Sequence, residues 1–182
     1  MRGRRWLAEA DRLDVAVYAA IAATDTPALD RSLRTLSHAA DYSRLSIASA
    51  LALSAAGGPG GRRAARAGLA SVAVTATVVN LVMKPLGRRR RPERQAHEVV
   101  ADRHVRMPVS SSFPSGHSAA AFSFATGVGS ILPGVALPLH ALALSVAYSR
   151  VHTGVHYPGD VVVGAVTGVV LAQCTVRAVN RA

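Results

Sequence analysis

The stretch "MPVSSSFPSGHSAAAFSFATGVGSILPGVALPLHALALSVAYS", residues 107–149, contains no Asp, Glu, Lys or Arg. At 43 residues it is too long for one membrane crossing, which takes about 20 mostly apolar residues. Its own punctuation divides it. Gly129, Pro133, Gly134 and Pro138 predict a tight turn, so the run reads as two helical spans joined end to end.

Outward from this stretch, further charge-free runs fall at 15–24, 45–61, 67–83 and 161–176. Half of the 182 residues are hydrophobic but only 4% are aromatic, so these runs are built of Ala, Val and Leu. Charge is segregated between them, as in a chain that crosses a bilayer repeatedly. The reading is an all-α polytopic membrane protein: a six-transmembrane-helix bundle forming one domain over residues 1–182, with its active site at one membrane surface. The first run is the shortest. Glu9, Asp11, Arg12 and Asp14 precede it, so it reads as an interfacial amphipathic segment leading into a short span. A cleavable signal peptide is not expected, because acidic residues follow "MRGRRW" where an apolar stretch is required.

The net charge is +11. In a soluble chain that would raise nucleic acid as a partner, but here the basic residues lie between apolar spans and belong at a membrane surface or in a site. No nucleic acid is expected. The lone Cys174 reads as a small packed residue. With six spans, the first, third and fifth connections share one side, which brings segments 84–117 and 149–160 together. That side holds 12 Lys and Arg against 9 on the other. A bare positive-inside count puts the site in the cytoplasm, but residues recruited to hold phosphate are not free topology signals. "MRGRR" and "RRAAR" argue the other way, and the expectation is an extracytoplasmic site in a bacterial plasma membrane.

Three clusters carry chemistry. Lys84 and Arg91-Pro92 form the first, Pro114-Ser115-Gly116-His117 the second, and Ser149-Arg150 with His156 and Asp160 the third. Phosphoryl transfer without a metal needs fixed positive charge, backbone N–H groups at a helix start, a nucleophile and an acid. Arg91 and Arg150 offer planar forks to phosphate oxygens and Lys84 a point charge. Lys84 and Arg91 are two helical turns apart and share a face if the helix runs past Pro85. Gly116 lets the backbone come close, Ser115 adds a hydroxyl, and the helix that starts there points its N–H groups at the anion. His156 and Asp160 are spaced i, i+4, so the carboxylate can hold one ring nitrogen and leave the other as nucleophile. His117 is the natural general acid.

Lys84, six residues, Arg91-Pro92; Pro114-Ser115-Gly116-His117; Ser149-Arg150, five residues, His156, three residues, Asp160: in order and spacing this resembles the three-part signature of the type 2 phosphatidic acid phosphatase family, which shares its site with vanadium-dependent haloperoxidases. The resemblance implies a phosphohistidine at His156, oriented by Asp160, and a leaving group protonated by His117. It implies phosphate binding by Lys84, Arg91, Ser115, Gly116 and Arg150, with neither metal nor cofactor. It further implies hydrolysis of a lipid phosphate whose tail stays in the bilayer. Polyprenyl-linked substrates such as decaprenylphosphoryl-ribose 5-phosphate or a polyprenyl diphosphate lead. Phosphatidic acid, phosphatidylglycerol phosphate, or transfer to an alcohol acceptor are alternatives, and a non-enzymatic scaffold is the contrasting class. Oligomeric state is not legible. His152 reads as a bystander near the basic pocket and His140 as an interhelical contact. Arg88, Arg89 and Arg90 read as headgroup or diphosphate contacts. His38 and Asp41 fall on the site's side without a spacing that assigns them a role.

Overall fold

Along the last apolar run the residues sort by size in helical register. Gly164, Gly168 and Ala172 are turned inward, whereas Val162, Val166 and Val170 are exposed. That is the inverse of a soluble amphipathic helix. Between membrane helices small residues permit close backbone approach, and branched apolar side chains face lipid at no cost.

The computed structural model describes residues 2–179 and is all-helical. Its helices are α1 (Arg2–Ala23), α2 (Pro27–Ala39), α3 (Arg44–Ala56), α4 (Gly58–Gly87), α5 (Gly116–Gly129), α6 (Ala136–His152) and α7 (Pro158–Val179). Three apolar stretches are long enough to cross a membrane: Gly58–Gly87, Pro133–His152 and Pro158–Val179. The protein is an integral membrane protein. The 107–149 run divides where expected, with α5 ending at Gly129 and a short 3₁₀ turn, Pro133–Val135, leading into α6.

Helix α5 lies at the centre, packed on α4, α6 and α7. A Cβ at Gly164 would stand 2.5 Å from the Ser115 carbonyl oxygen, and one at Gly168 would overlap the Ala119 carbonyl. These two glycines therefore set how closely α7 approaches α5. Across α4 and α5, buried Thr75 donates to Ser123 Oγ at 2.9 Å.

The structure departs from the sequence reading in four places. Seven helices, not six, run through the described residues. The segment 27–39, expected as a polar connection, is the amphipathic helix α2; it buries Asp30 and Ser37 and exposes Arg31 and Thr35. The run 15–24 forms the second half of α1, and its contacts all lie at the end of the bundle where α6 stops and α7 starts. Asp14 accepts from Gly159 N at 2.6 Å, Tyr18 meets the Tyr157 ring edge-on, and the Ala22 and Thr24 carbonyls accept from Arg103. Finally, "RRAAR" is not a turn: the chain reverses at Gly57, and Arg62, Arg63 and Arg66 already belong to α4.

Candidate active site

Each of the three clusters arrives at the same end of the bundle. Helix α4 widens into a π turn at Val79–Met83, and the Lys84 N–H donates to the Val79 carbonyl. Wide turns of this kind often mark functional positions. Pro85 follows, with no N–H to offer, and the helix lasts only to Gly87 before Arg88 takes a left-handed conformation (φ 39). Lys84 and Arg91 therefore do not share a helical face, and Arg91 comes back to the site from the loop. Its guanidinium is braced by the carbonyls of Ser110 at 3.0 Å, Ser111 at 3.2 Å and Val155 at 2.8 Å. Lys84 Nζ and Arg91 Nη2 each donate to Ser110 Oγ at 3.4 Å, so the two cations converge on one hydroxyl.

At the start of α5, Ser115 is the N-cap. Its buried hydroxyl accepts from Ser118 N at 3.4 Å and Ser118 Oγ at 3.0 Å, satisfying donors the helix itself leaves open. Its own N–H donates to the Asp160 carbonyl at 2.9 Å, tying the second cluster to the third. A Cβ at position 116 would stand 3.6 Å from Lys84 Nζ, so Gly116 leaves Lys84 room to lie over the helix start. His117 Nε2 pairs with Asp41 Oδ1 at 2.9 Å.

Arg150, 2% exposed, donates to Ser37 Oγ and stands 3.9 Å from Asp41 Oδ1. Its Nε is buried and has no protein acceptor. His156 lies in the turn between α6 and α7, also 2% exposed. Its Nε2 faces Arg91 Nη1 at 3.3 Å, and its Nδ1 stands 3.6 Å from Asp160 Oδ2. The i, i+4 pair is closed by Ser112, which lies 3.4 Å from Nδ1 and donates to Asp160 Oδ2. Asp160 also accepts from Tyr157 N at 3.0 Å. Burial, helped by the positive charges of Arg91 and Arg150, outweighs the hydrogen-bonding pull of Asp160 and lowers the His156 imidazole to about 4. The ring is neutral at physiological pH, with Nδ1–H directed at Ser112 and Asp160 and Nε2 carrying the lone pair. That protonation pattern is assigned from its partners.

A cavity of about 490 Å³ opens here, lined by Asp41, Lys84, Ser110, His117 and Arg150, with Arg106 at its outer wall. A smaller one of about 170 Å³ adjoins it, lined by Ala76 and Val79 of α4 and Gly116 and Ala120 of α5. Among the described residues no group of three His, Cys, Asp or Glu side chains is placed to hold a metal ion.

The structure gathers all eight residues expected at the site. Four participants escaped the sequence reading: Ser37, Asp41, Arg89 and Ser112. Only Ser112 carried a local signal, as part of the triple serine before Phe113. Asp41 reaches His117 across 76 residues, a separation that no spacing argument detects. Of the two remaining histidines, His152 pairs with Thr26 at 3.0 Å and Asp30 at 3.2 Å, outside the cavity. His140 bridges Thr126 of α5 at 3.3 Å and the Ala136 carbonyl at 2.8 Å, the interhelical contact expected of it. Arg89 does not face outward toward headgroups.

Residues 65–182 match the family model of the PAP2 superfamily. The decaprenylphosphoryl-5-phosphoribose phosphatase of Mycobacterium tuberculosis is 36% identical over 172 residues, covering 87% of this chain and 86% of that protein. The enzyme of the same name from Mycolicibacterium smegmatis is 37% identical over 161 residues, covering 85% and 80%. In fold the chain is similar to LpxE of Aquifex aeolicus (TM-score 0.70, 23% identity, 91% of this chain and 95% of that one). It is also similar to the transmembrane PAP2 type phosphatidylglycerolphosphate phosphatase of Bacillus subtilis (TM-score 0.68, 24% identity, 92% and 84%). The chain belongs to the PAP2 superfamily. It is a phosphoric ester hydrolase of that family.

Proposed function

We propose that this protein removes the terminal phosphate from a polyprenyl-linked lipid phosphate, with decaprenylphosphoryl-ribose 5-phosphate as the best-supported substrate. One observation carries the reading: Lys84, His117 and Arg150, one residue from each cluster, line a single cavity at one end of an apolar bundle. The two mycobacterial relatives supply the particular lipid.

In this reading the substrate phosphate lies among Lys84, Arg91 and Arg150, and displaces the Ser110 hydroxyl between the first two. The unpartnered Arg150 Nε and the start of α5 take further oxygens. His156 Nε2 attacks phosphorus, the bond to the lipid oxygen breaks, and His117 gives that oxygen a proton. Asp160, through Ser112, holds the Nδ1 proton and stabilises the ring as it becomes cationic. Water then gives a proton to His117 and attacks the phosphohistidine, releasing inorganic phosphate and restoring both histidines. Asp41, paired with His117 Nε2 at 2.9 Å, fixes the orientation of that ring. The smaller cavity between α4 and α5, where Ala76, Val79 and Ala120 adjoin Asn80, Lys84 and His117, gives the lipid a path from the phosphate site toward the bilayer.

Residues 1–182 act as one unit with five crossings, α3 to α7, and with α1 and α2 lying across the site end. The site faces away from the cytoplasm. Supporting this, Arg62, Arg63, Arg66 and Arg177 lie at the opposite end. On the site side Arg89 and Arg103 are neutralised by acids and Lys84, Arg91 and Arg150 belong to the site, which leaves Arg31, Arg34, Arg44, Arg88, Arg90, Arg94 and Arg106 in the count there. The test is phosphate release by purified protein from decaprenylphosphoryl-ribose 5-phosphate, phosphatidic acid and phosphatidylglycerol phosphate, with His156→Ala as control. Preferential release from the polyprenyl substrate, lost in the variant, is expected. Release that survives His156→Ala, or none from any lipid, contradicts the reading.

A further inference from the structure

The carboxylate of Asp160 has two oxygens with separate duties. Oδ2 accepts from Ser112 and Tyr157 N and faces the nucleophilic histidine. Oδ1 accepts from Arg89 Nη1 at 3.0 Å. The same guanidinium donates to Asp14 Oδ2 at 2.6 Å and, through Nη2, to Asp11 Oδ1 at 2.7 Å, and it stacks 4.2 Å over the Tyr157 ring. Its backbone is tied to the serine segment as well, because Ser112 N donates to the Arg89 carbonyl at 2.9 Å. Asp14 in turn takes the Gly159 N–H at the start of α7 through its other oxygen. Asp11 and Asp14 lie on α1, outside the 65–182 segment matched by the family model.

We propose that Arg89 is a positioning residue for the hydrolysis, fixing the rotation of the Asp160 carboxylate, and that Asp14 and Asp11 of α1 hold Arg89 in place. The amino-terminal helix is thereby part of the catalytic support. The inference rests on the hydrolytic reading above and extends it to residues that no motif contains. Arg forks fix a carboxylate plane in a way that a single point charge does not. Without Arg89, Asp160 keeps its partners on Oδ2 but loses the one that orients Oδ1. A cation beside the carboxylate is also lost, so both Asp160 and the histidine coupled to it hold protons more tightly.

The groups around this carboxylate are His156, Ser112 and Tyr157 from the site, Arg89 and Arg91 from the loop, and Asp11 and Asp14 from α1. Two substitutions among them have opposite electrostatic signs. Arg89→Gln removes a cation, whereas Asp14→Asn removes an anion together with one of the two α1 carboxylates that hold Arg89, leaving Asp11 as the other.

The experiment measures kcat, KM and the acid limb of the pH–rate profile for the full-length protein in detergent. Wild type, Arg89→Gln, Arg89→Lys, Asp14→Asn and His156→Ala are compared, with thermal melting as the folding control. Arg89→Gln is expected to lower kcat about tenfold with KM within about twofold, and to move the acid limb up by about one pH unit. Arg89→Lys keeps the limb in place and recovers part of kcat, and it serves as the decisive variant if Arg89→Gln does not fold. Asp14→Asn lowers kcat by a smaller factor than Arg89→Gln, because Arg89 keeps Asp11, and moves the limb down or leaves it unmoved; a wild-type kcat in Asp14→Asn overturns the part assigned to α1. A fall in kcat with an unmoved limb in Arg89→Gln, wild-type behaviour of that variant, or a limb that rises in both Arg89→Gln and Asp14→Asn overturns the proposal. Full activity in His156→Ala, or none in wild type, means instead that the hydrolytic reading has failed and this inference with it.

Discussion

At His156 a histidine is buried beside two guanidinium groups, an environment hostile to imidazolium, and that hostility keeps the lone pair on Nε2 free for the nucleophilic role proposed above. Its proton affinity is depressed from 6.5 to about 4, so the acid limb of kcat/KM is expected near pH 4 rather than near 6.5, measured with the lipid phosphate that the release assay identifies as substrate. The same depression has a stability consequence. Between pH 4 and 6.5 the unfolded chain binds more protons at this position than the folded one, so stability falls as pH is lowered through that window. His156→Asn should flatten that slope in detergent melting curves. Asp41→Asn tests the acid: kcat is expected to drop about 10- to 100-fold with KM little changed, and an unaltered kcat removes Asp41 from the mechanism. At this scale the sequence was most legible where partners are four residues apart or share a helix start, as with His156 and Asp160 or Ser115 to His117. It placed Asp41 on the site's side without a role and was silent about Ser37; both reach the site from a segment with no motif of its own.

Among the elements, α5 and α7 show how composition becomes geometry. Their closeness depends on glycines that leave space for carbonyls, so Gly168→Ala should cost about 1–3 kcal/mol, read as a lower melting temperature. Gly134→Ala, where a Cβ meets nothing within 4 Å, is the neutral control. Helix α2 depends on the Arg103–Asp30 pair, buried and joined at 2.9 Å. Removing one partner strands the other, so Asp30→Ala is expected to cost about 3–5 kcal/mol and to loosen the 95–104 loop, seen as faster amide exchange there. The apolar runs behind α4 to α7 were readable from charge alone. What hid α2 is that a helix packed across the ends of other helices shares its composition with a polar connection, whereas α1 was anticipated as an amphipathic segment. Their buried faces are set by contacts with the ends of other helices, not by lipid.

Across the molecule, sequence order and spatial order diverge. The clusters at 84–91, 114–117 and 149–160 meet because an even number of crossings separates them, which is why the site could be anticipated without knowing whether α1 crosses. The paired arginines change how topology is read, because Arg89 and Arg103, committed to acids, leave the charge count. A Val109→Cys variant in a Cys174→Ser background should be labelled by an impermeant thiol reagent added outside intact cells. Labelling only after permeabilisation would reverse the assigned sidedness.

The most direct test of the account is to mix wild-type protein with substrate carrying a labelled terminal phosphate, quench in alkali within milliseconds, and locate the label by peptide mapping. The account predicts base-stable, acid-labile label on His156, more of it in His117→Ala for a substrate whose leaving group needs no protonation, and none in His156→Ala. Label on any other residue, or turnover with no covalent phosphoenzyme at any time, contradicts it.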